Sequence, residues 1–302
     1  MNVNLNASAA LGLVLLLGLV GCSSLLPTMV EPPSIPVQVV PKKPPRLGLV
    51  LGGGAARGFA HVGVIQVLEE AGIRPSLVVG TSAGSLVAAF YASGKTGAQL
   101  QQIAESMEEA TFADWTLPIF SRGMLRGEAL ARYVGNQVNG KLIESMPMPL
   151  GIVATDLNTG QGVLFQRGDT ATAVRASSAV PALFQPVRIA GREYVDGGLI
   201  SPVPVRYARQ MGAELILAVD ISNAPEGNEA KDTLQILLQT FAIMGKSINS
   251  FELREADIVV RPLLSGVSSA DFGARRQAIA AGRAAMQALL TQLQDALQIK
   301  SK

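Results

Sequence analysis

The fold turns on one stretch, Leu77-Val78-Val79-Gly80-Thr81-Ser82-Ala83-Gly84-Ser85-Leu86-Val87-Ala88-Ala89. Its apolar opening reads as a buried strand and its Ala- and Leu-containing close reads as a helix. Between them, Gly80-x-Ser82-x-Gly84 has the spacing of a sharp strand-to-helix turn that leaves the central serine exposed. Glycine is needed two residues to either side because a side chain there collides with the neighbouring strand or helix. Ser82 also opens a helix, where unpaired N–H groups favour developing negative charge. In this context Ser82 is the candidate nucleophile and Gly80 and Gly84 shape its elbow; the plainer alternative is an ordinary tight turn.

Outward from that turn, strand-like runs alternate with helical patterns, the signature of a sheet covered by helices on both faces. Strands are expected at Leu47–Leu51, Leu77–Val79, Leu150–Ala154, Val163–Gln166, Leu215–Val219 and Ile258–Arg261. Helices are expected near Gly58–Ala71, Ser82–Ala92, Gln99–Glu109, Glu128–Val138, Thr170–Ser177, Val203–Met211, Lys231–Glu252 and Phe272–Leu297. The expected fold class is therefore α/β, a three-layer αβα sandwich around a central, mostly parallel sheet. In such sheets sites form beyond the carboxyl ends of the strands, which selects the Ser82 turn and the loop after the first strand.

That loop, Gly52-Gly53-Gly54-Ala55-Ala56-Arg57-Gly58, sets a row of backbone N–H groups at a strand's end. A dinucleotide site would need glycine at 57, which is Arg, and an acidic residue near Val79, which is missing. A Walker-type phosphate loop at Gly94-Lys95-Thr96 lacks its first glycine, Ala89 standing there, and follows a helix rather than a strand. An oxyanion hole needs only unobstructed N–H donors aimed at the oxygen that turns negative when Ser82 attacks an ester, and it alone also uses the elbow. Arg57 braces the loop or adds positive charge beside it.

Further on, Val195-Asp196-Gly197-Gly198 ends a short apolar and aromatic segment and precedes Ser201-Pro202-Val203-Pro204. Taken alone, Asp-Gly-Gly is a common turn. The ordered set Gly52–Gly58, Gly80–Gly84 and Asp196–Gly198 resembles the patatin-like phospholipases, including the catalytic domain of neuropathy target esterase, over about Leu47 to Leu297. Ala176-Ser177-Ser178-Ala179-Val180-Pro181 is similar to that family's segment between elbow and aspartate, and Ser201 stands where relatives commonly carry Asn. The resemblance implies a Ser82–Asp196 dyad with Asp196 as general base, an oxyanion hole containing Gly53, Gly54 and Arg57, an acyl-serine intermediate, a lipid or ester substrate, and neither cofactor nor metal.

Composition narrows the alternatives. The formal charge of +2 and the absence of a basic run longer than Lys42-Lys43 argue against a nucleic-acid partner. With one cysteine and one histidine, disulfide frameworks and Cys/His zinc sites are excluded by count. The sole histidine, His61, precedes Ser82, which breaks the Ser, Asp, His order of ordinary hydrolase triads and favours a structural role. Phe112, Trp115 and Phe120 are expected to pack on the core rather than to contact acyl chains. A lipid-binding scaffold with a vestigial site is the main rival function, and a nucleotide-binding protein the second.

The N-terminus reads as an address. Residues Ala9 to Val20 are an unbroken apolar run too short to span a bilayer comfortably, typical of a signal-peptide core. Leu19-Val20-Gly21-Cys22 resembles the lipobox of bacterial lipoproteins, in which the cysteine is acylated and becomes the first residue. Ser23 to Arg46 contains seven prolines, among them Pro32-Pro33 and Pro44-Pro45, and reads as an extended tether reaching on the order of 70 Å. Three parts are thus expected: a signal peptide over 1–21, a lipidated tether over 22–46 and a hydrolase domain over 47–302. Ser23 after the cysteine favours the outer membrane, with the domain in the periplasm. Replacing Cys22 by Ala is expected to abolish metabolic labelling with radioactive palmitate and to leave the precursor unprocessed; undiminished labelling overturns the lipoprotein assignment.

Overall fold

The computed structural model describes residues 43–108, 114, 122–222 and 232–301. Cys22, most of the proline-rich tract, Phe112, Trp115 and Phe120 lie outside the described residues. Its elements are β1 (Leu47–Leu51), α1 (Phe59–Glu70), β2 (Leu77–Thr81), α2 (Ala83–Ala92), α3 (Gly97–Ser106), β3 (Gly123–Leu125), α4 (Glu128–Gln137), β4 (Leu150–Asp156), β5 (Gly162–Phe165) and α5 (Thr170–Ser177). There follow β6 (Ala182–Phe184), β7 (Val187–Ile189), β8 (Arg192–Asp196), α6 (Val205–Gln210), β9 (Leu215–Val219), α7 (Thr233–Glu252), β10 (Ile258–Val260) and α8 (Arg275–Ile299).

The main sheet runs β10-β9-β1-β2-β4-β8-β7, with β5 also paired to β4. From β10 to β4 neighbouring strands are parallel. Both faces of these strands are covered, which explains why they read as continuous apolar runs rather than as alternating ones. Along β1, Leu47, Leu49 and Leu51 join the core shared with α1, α2 and α8, whereas Val50 joins the opposite core with Val205, Tyr207 and Ala208 of α6. β9 divides in the same way, Leu215, Leu217 and Val219 to one side and Ile216 and Ala218 to the other. β1 is the point from which the chain steps outward in both directions, to β2 on one side and β9 on the other. A crevice opens at such a switch point beyond the strands' carboxyl ends.

Sequence and structure differ at the sheet's far side. Val163–Gln166 is a strand, spanning Gly162–Phe165, but it turns back antiparallel on β4. β7 and β8, which the apolar pattern does not announce, form a hairpin whose two turn residues, Ala190 and Gly191, both have positive φ (50° and 79°). That geometry matches the right-handed twist of the flanking strands. α3 starts two residues earlier than expected because Thr96 caps it, accepting from the Gln99 N–H while the Gln99 side chain accepts from the Thr96 N–H.

α8 lies along α1 at a crossing made of small residues. A β-carbon on Gly63 would collide with the Ile279 carbonyl, and one on Gly282 with the Ala60 carbonyl. Because both obstacles are backbone, the helices have to separate to admit a methyl group. Gly63→Ala and Gly282→Ala are each expected to lower stability by about 1–3 kcal/mol, the usual range for overpacking, read from the midpoint of urea unfolding.

Candidate active site

Ser82 sits between β2 and α2 with φ 52° and ψ −125°, a backbone state that costs a non-glycine residue strain. The two motif glycines permit it by contact rather than by flexibility. A β-carbon on Gly84 would strike the Leu51 carbonyl, and one on Gly80 would strike the Gly84 backbone. The flanks are tied down as well: the Thr81 hydroxyl donates to the Ser201 carbonyl at 2.9 Å, and the Ser82 N–H donates to Ser177 Oγ at 2.9 Å. Ser177 Oγ in turn donates to the Val153 carbonyl at 2.6 Å, so it pins the elbow to β4.

Register brings the aspartate to the serine. Thr81 pairs with Val153 across β2 and β4, and Ala154 pairs with Asp196 across β4 and β8, so Ser82 and Asp196 flank β4 at nearly the same level. Gly197 follows directly, and a β-carbon there would meet the Val153 carbonyl. Asp196 is 6% exposed. Its Oδ1 accepts from the Gly198 N–H at 2.6 Å, while Oδ2 makes no hydrogen bond of ordinary geometry among the described residues. Burial pushes the carboxyl up to about 6, opposed by the Gly198 N–H and by the nearby Ser82 hydroxyl.

The glycine-rich loop closes the site from β1. The Gly52 N–H donates to the Val219 carbonyl and the Gly53 N–H to the Pro202 carbonyl, at 3.1 and 2.9 Å. Gly53 therefore has no N–H to offer an oxyanion, contrary to the sequence expectation. What it supplies is closeness, since a β-carbon there would lie 3.1 Å from Ser82 Cβ. The N–H groups of Gly54 and Ala55 have no partner among the described residues, and Ala55 has φ 49°. Sequence reasoning missed Ala55 because nothing in an alanine announces a left-handed conformation. It also assigned no role to Ser177, although it marked the segment that carries it.

Arg57 and His61 lie on the same loop and its following helix. Arg57 is buried, its Nε has no partner among the described residues, and burial lowers its pKa while Asp220 raises it. As a guanidinium it stays charged. His61 is fully buried, and because a carbonyl only accepts, its Nε2 must carry the proton that it donates to the Gly52 carbonyl at 2.8 Å. Burial lowers its pKa to about 4, so the ring is neutral near pH 7.

Ser82, Asp196, Gly53, Gly54, Ala55 and Arg57 all line one cavity of about 600 Å³. Its remaining wall combines apolar groups, Val180, Pro181, Leu199 and, from α7, Leu238, Phe241 and Ala242, with polar ones that include Gln235, Gln239 and Lys246 of α7 and Ser268 and Ser269. Among the described residues no three His, Cys, Asp or Glu side chains converge as metal ligands would. Cys22 lies outside the described residues, so only the other site residues are placed here.

Comparison with known proteins places this geometry in a family. The model for "Patatin-like phospholipase" matches residues 49–209, more than half of the chain. An NTE family protein of Mycobacterium tuberculosis is 38% identical over 189 residues, covering 62% of this chain and 52% of its own length. A second from the same organism is 30% identical over 271 residues, covering 81% of this chain and 46% of its own. The chain thus spans about half the length of these relatives. Mouse patatin-like phospholipase domain-containing protein 6 is 34% identical over 188 residues, 60% of this chain and 14% of that protein. Among solved structures, VipD from Legionella pneumophila shares the fold with a TM-score of 0.57 at 17% identity, covering 83% of this chain and 68% of its own. With the motif order, the sheet and the family match in agreement, the chain belongs to the patatin-like phospholipase family.

Proposed function

We propose that the chain hydrolyses carboxylic esters of lipids, phospholipase A or lysophospholipase chemistry, through an acyl-Ser82 intermediate with Asp196 as general base. The observation that carries this is the buried Asp196 carboxylate, whose Oδ2 is free of any other hydrogen bond among the described residues, beside the Ser82 hydroxyl in a cavity lined also by the Gly54 and Ala55 N–H groups. Oδ2 accepts the Ser82 proton as Oγ attacks the ester carbonyl. The Gly54 and Ala55 N–H groups, with the Arg57 charge behind them, stabilise the oxyanion. Collapse expels the alcohol, which takes the proton back from Asp196, and a water activated by the same carboxylate then releases the fatty acid. The apolar groups of the cavity wall suit an acyl chain, and acylation at Cys22 would hold the enzyme at a bacterial envelope membrane.

A fluorophosphonate probe, which reacts only with an activated serine, decides between this activity and a vestigial or nucleotide-binding site. The wild type should label and Ser82→Ala should not, with its unfolding midpoint close to wild type. If the wild type fails to label, or Ser82→Ala retains turnover, hydrolysis at Ser82 is wrong.

The base is tested separately. Asp196→Asn should lower kcat by about 10⁴-fold, the scale for members of a catalytic unit. His61→Ala should cost far less turnover, its loss falling mainly on stability because it empties a buried site and orphans the Gly52 carbonyl. Equal losses in the two variants would overturn the dyad.

Asp196 must be ionised to act, so activity should fall on acidification through about pH 6. The same shift has the opposite sign for stability. A carboxyl whose folded pKa is raised favours folding below its unfolded value and loses that contribution as pH rises through the folded one. Asp196→Asn should therefore be more stable than wild type at pH 7–8, by on the order of 2 kcal/mol, and nearly equal at pH 4. Thermal unfolding at the two pH values checks this.

A further inference from the structure

α7 is seated on the segment that follows Asp196 through one short stripe. Its buried residues are Gly245, Asn249 and Glu252. A β-carbon on Gly245 would lie 3.4 Å from the Pro202 ring, so the helix backbone packs directly on that proline. Two turns on, Glu252 is 8% exposed and its carboxylate accepts from the Ser201 hydroxyl, which lies 2.7 and 2.6 Å from the two oxygens. Its Oε1 also takes Arg206 Nε of α6 at 3.1 Å, and Ser201 itself is fully buried. Burial, and to a lesser degree Glu255, pushes the Glu252 carboxyl up to about 7, opposed by the Ser201 hydroxyl and by Arg206. A buried ion pair adds little net stability beside an apolar contact of the same size; what it can supply is a unique geometry.

What that geometry serves is visible in the main chain of the same segment. The Ser201 carbonyl accepts from the Thr81 hydroxyl at 2.9 Å, and Thr81 is the residue before Ser82. The Pro202 carbonyl accepts from the Gly53 N–H at 2.9 Å, and Gly53 lies against Ser82 and directly precedes Gly54. The Ser201 N–H donates to the Gly197 carbonyl at 2.9 Å, which joins the aspartate turn to the same residue. Two adjacent carbonyls thus hold the elbow and the oxyanion loop together, and the Ser201 side chain beside them is tied to Glu252. We propose that Glu252 is a positioning residue for the reaction: by holding the Ser201 hydroxyl it sets the two carbonyls that fix Ser82 against the oxyanion loop. Glu252 is not among the residues lining the Ser82 cavity, so it acts through Ser201 and not on substrate. The proposal rests on the hydrolase assignment above for what is positioned, and on the Ser201 and Pro202 contacts for the tether itself.

The test uses the full chain with p-nitrophenyl butyrate as substrate. The variants are Glu252→Ala, Ser201→Ala, the two combined, and Glu252→Gln, each shown folded by circular dichroism at the assay temperature. Glu252→Ala and Ser201→Ala should each lower kcat about tenfold and leave KM within about twofold, because a small misplacement of the reacting groups costs rate rather than affinity. The double variant should fall no further than the single ones, since all three break one link. Glutamine keeps an acceptor for the Ser201 hydroxyl, so Glu252→Gln should return kcat to within about threefold of wild type. A merely structural Glu252 would lower the unfolding midpoint and leave kcat alone. Wild-type kcat in Ser201→Ala, additive losses in the double variant, or no recovery with glutamine overturns the proposal; if Glu252→Ala does not fold, Ser201→Ala carries the comparison. Hydrogen–deuterium exchange supplies a readout without turnover. The peptide holding the Gly53 amide should exchange about tenfold faster in Ser201→Ala than in wild type while peptides from α8 keep their rates, and unchanged Gly53 protection overturns the tether. Exchange still decides the tether if the wild type cuts no ester, an outcome that would sink the hydrolase assignment instead.

Discussion

The Leu51 carbonyl and the α-carbon of Gly84 approach so closely that no side chain fits between them, and the rest of the site is arranged around that contact. It presses the start of α2 across the end of β1. The loop leaving β1 is then forced past the elbow, which is why Gly53 lies against Ser82 and why the next two N–H groups open into the same cavity. Positive φ at Ala55 and at Ser82 is the local consequence, at about 1–3 kcal/mol each. Fully buried strands on either side, β1, β2, β4 and β9, over-determine the arrangement and hold it.

β4 is the second half of the frame. Its Val153 carbonyl takes the Ser177 hydroxyl and leaves no room beside Gly197, so elbow and aspartate are referred to the same peptide group. That arrangement buries Asp196 with one oxygen satisfied and one open. Ionising such a group is unfavourable, and the fold bears that cost beside Ser82. Thr155, whose hydroxyl donates to the Asp196 carbonyl, and Ala179, whose carbonyl takes the Asp196 N–H, fix the backbone so that the carboxylate cannot swing out to water.

What was legible in the sequence is what is local. The strand-turn-helix around Ser82, the glycine loop and the Asp-Gly-Gly turn each announce themselves within a few residues, because close backbone contact admits only glycine. The buried parallel strands were legible for the same kind of reason, being apolar without interruption. The β7–β8 hairpin was not: β8 opens on two charged residues, the exposed Arg192 and the partly buried Glu193, and Ala190 is an unexpected occupant of a left-handed turn position. Nor does a sequence say which of several adjacent N–H groups a distant carbonyl will take. Pro202 claims the one on Gly53, and only the packing of that segment against the loop decides it.

The buried histidine bears on the proposed dyad, in which an aspartate serves alone. His61 donates to the Gly52 carbonyl, and the burial that keeps its ring neutral near pH 7 also keeps it out of the cavity that holds Ser82. Under the proposed dyad it shapes the oxyanion loop and takes no proton. An exposed carboxylate, with a pKa near 4, is a much weaker base than an imidazole near 6.5. Burial lifts Asp196 to about 6 and removes most of that difference. Under that proposal, desolvation of the carboxylate supplies the basicity that a histidine provides in a triad, and the chain's one imidazole serves as a fastener.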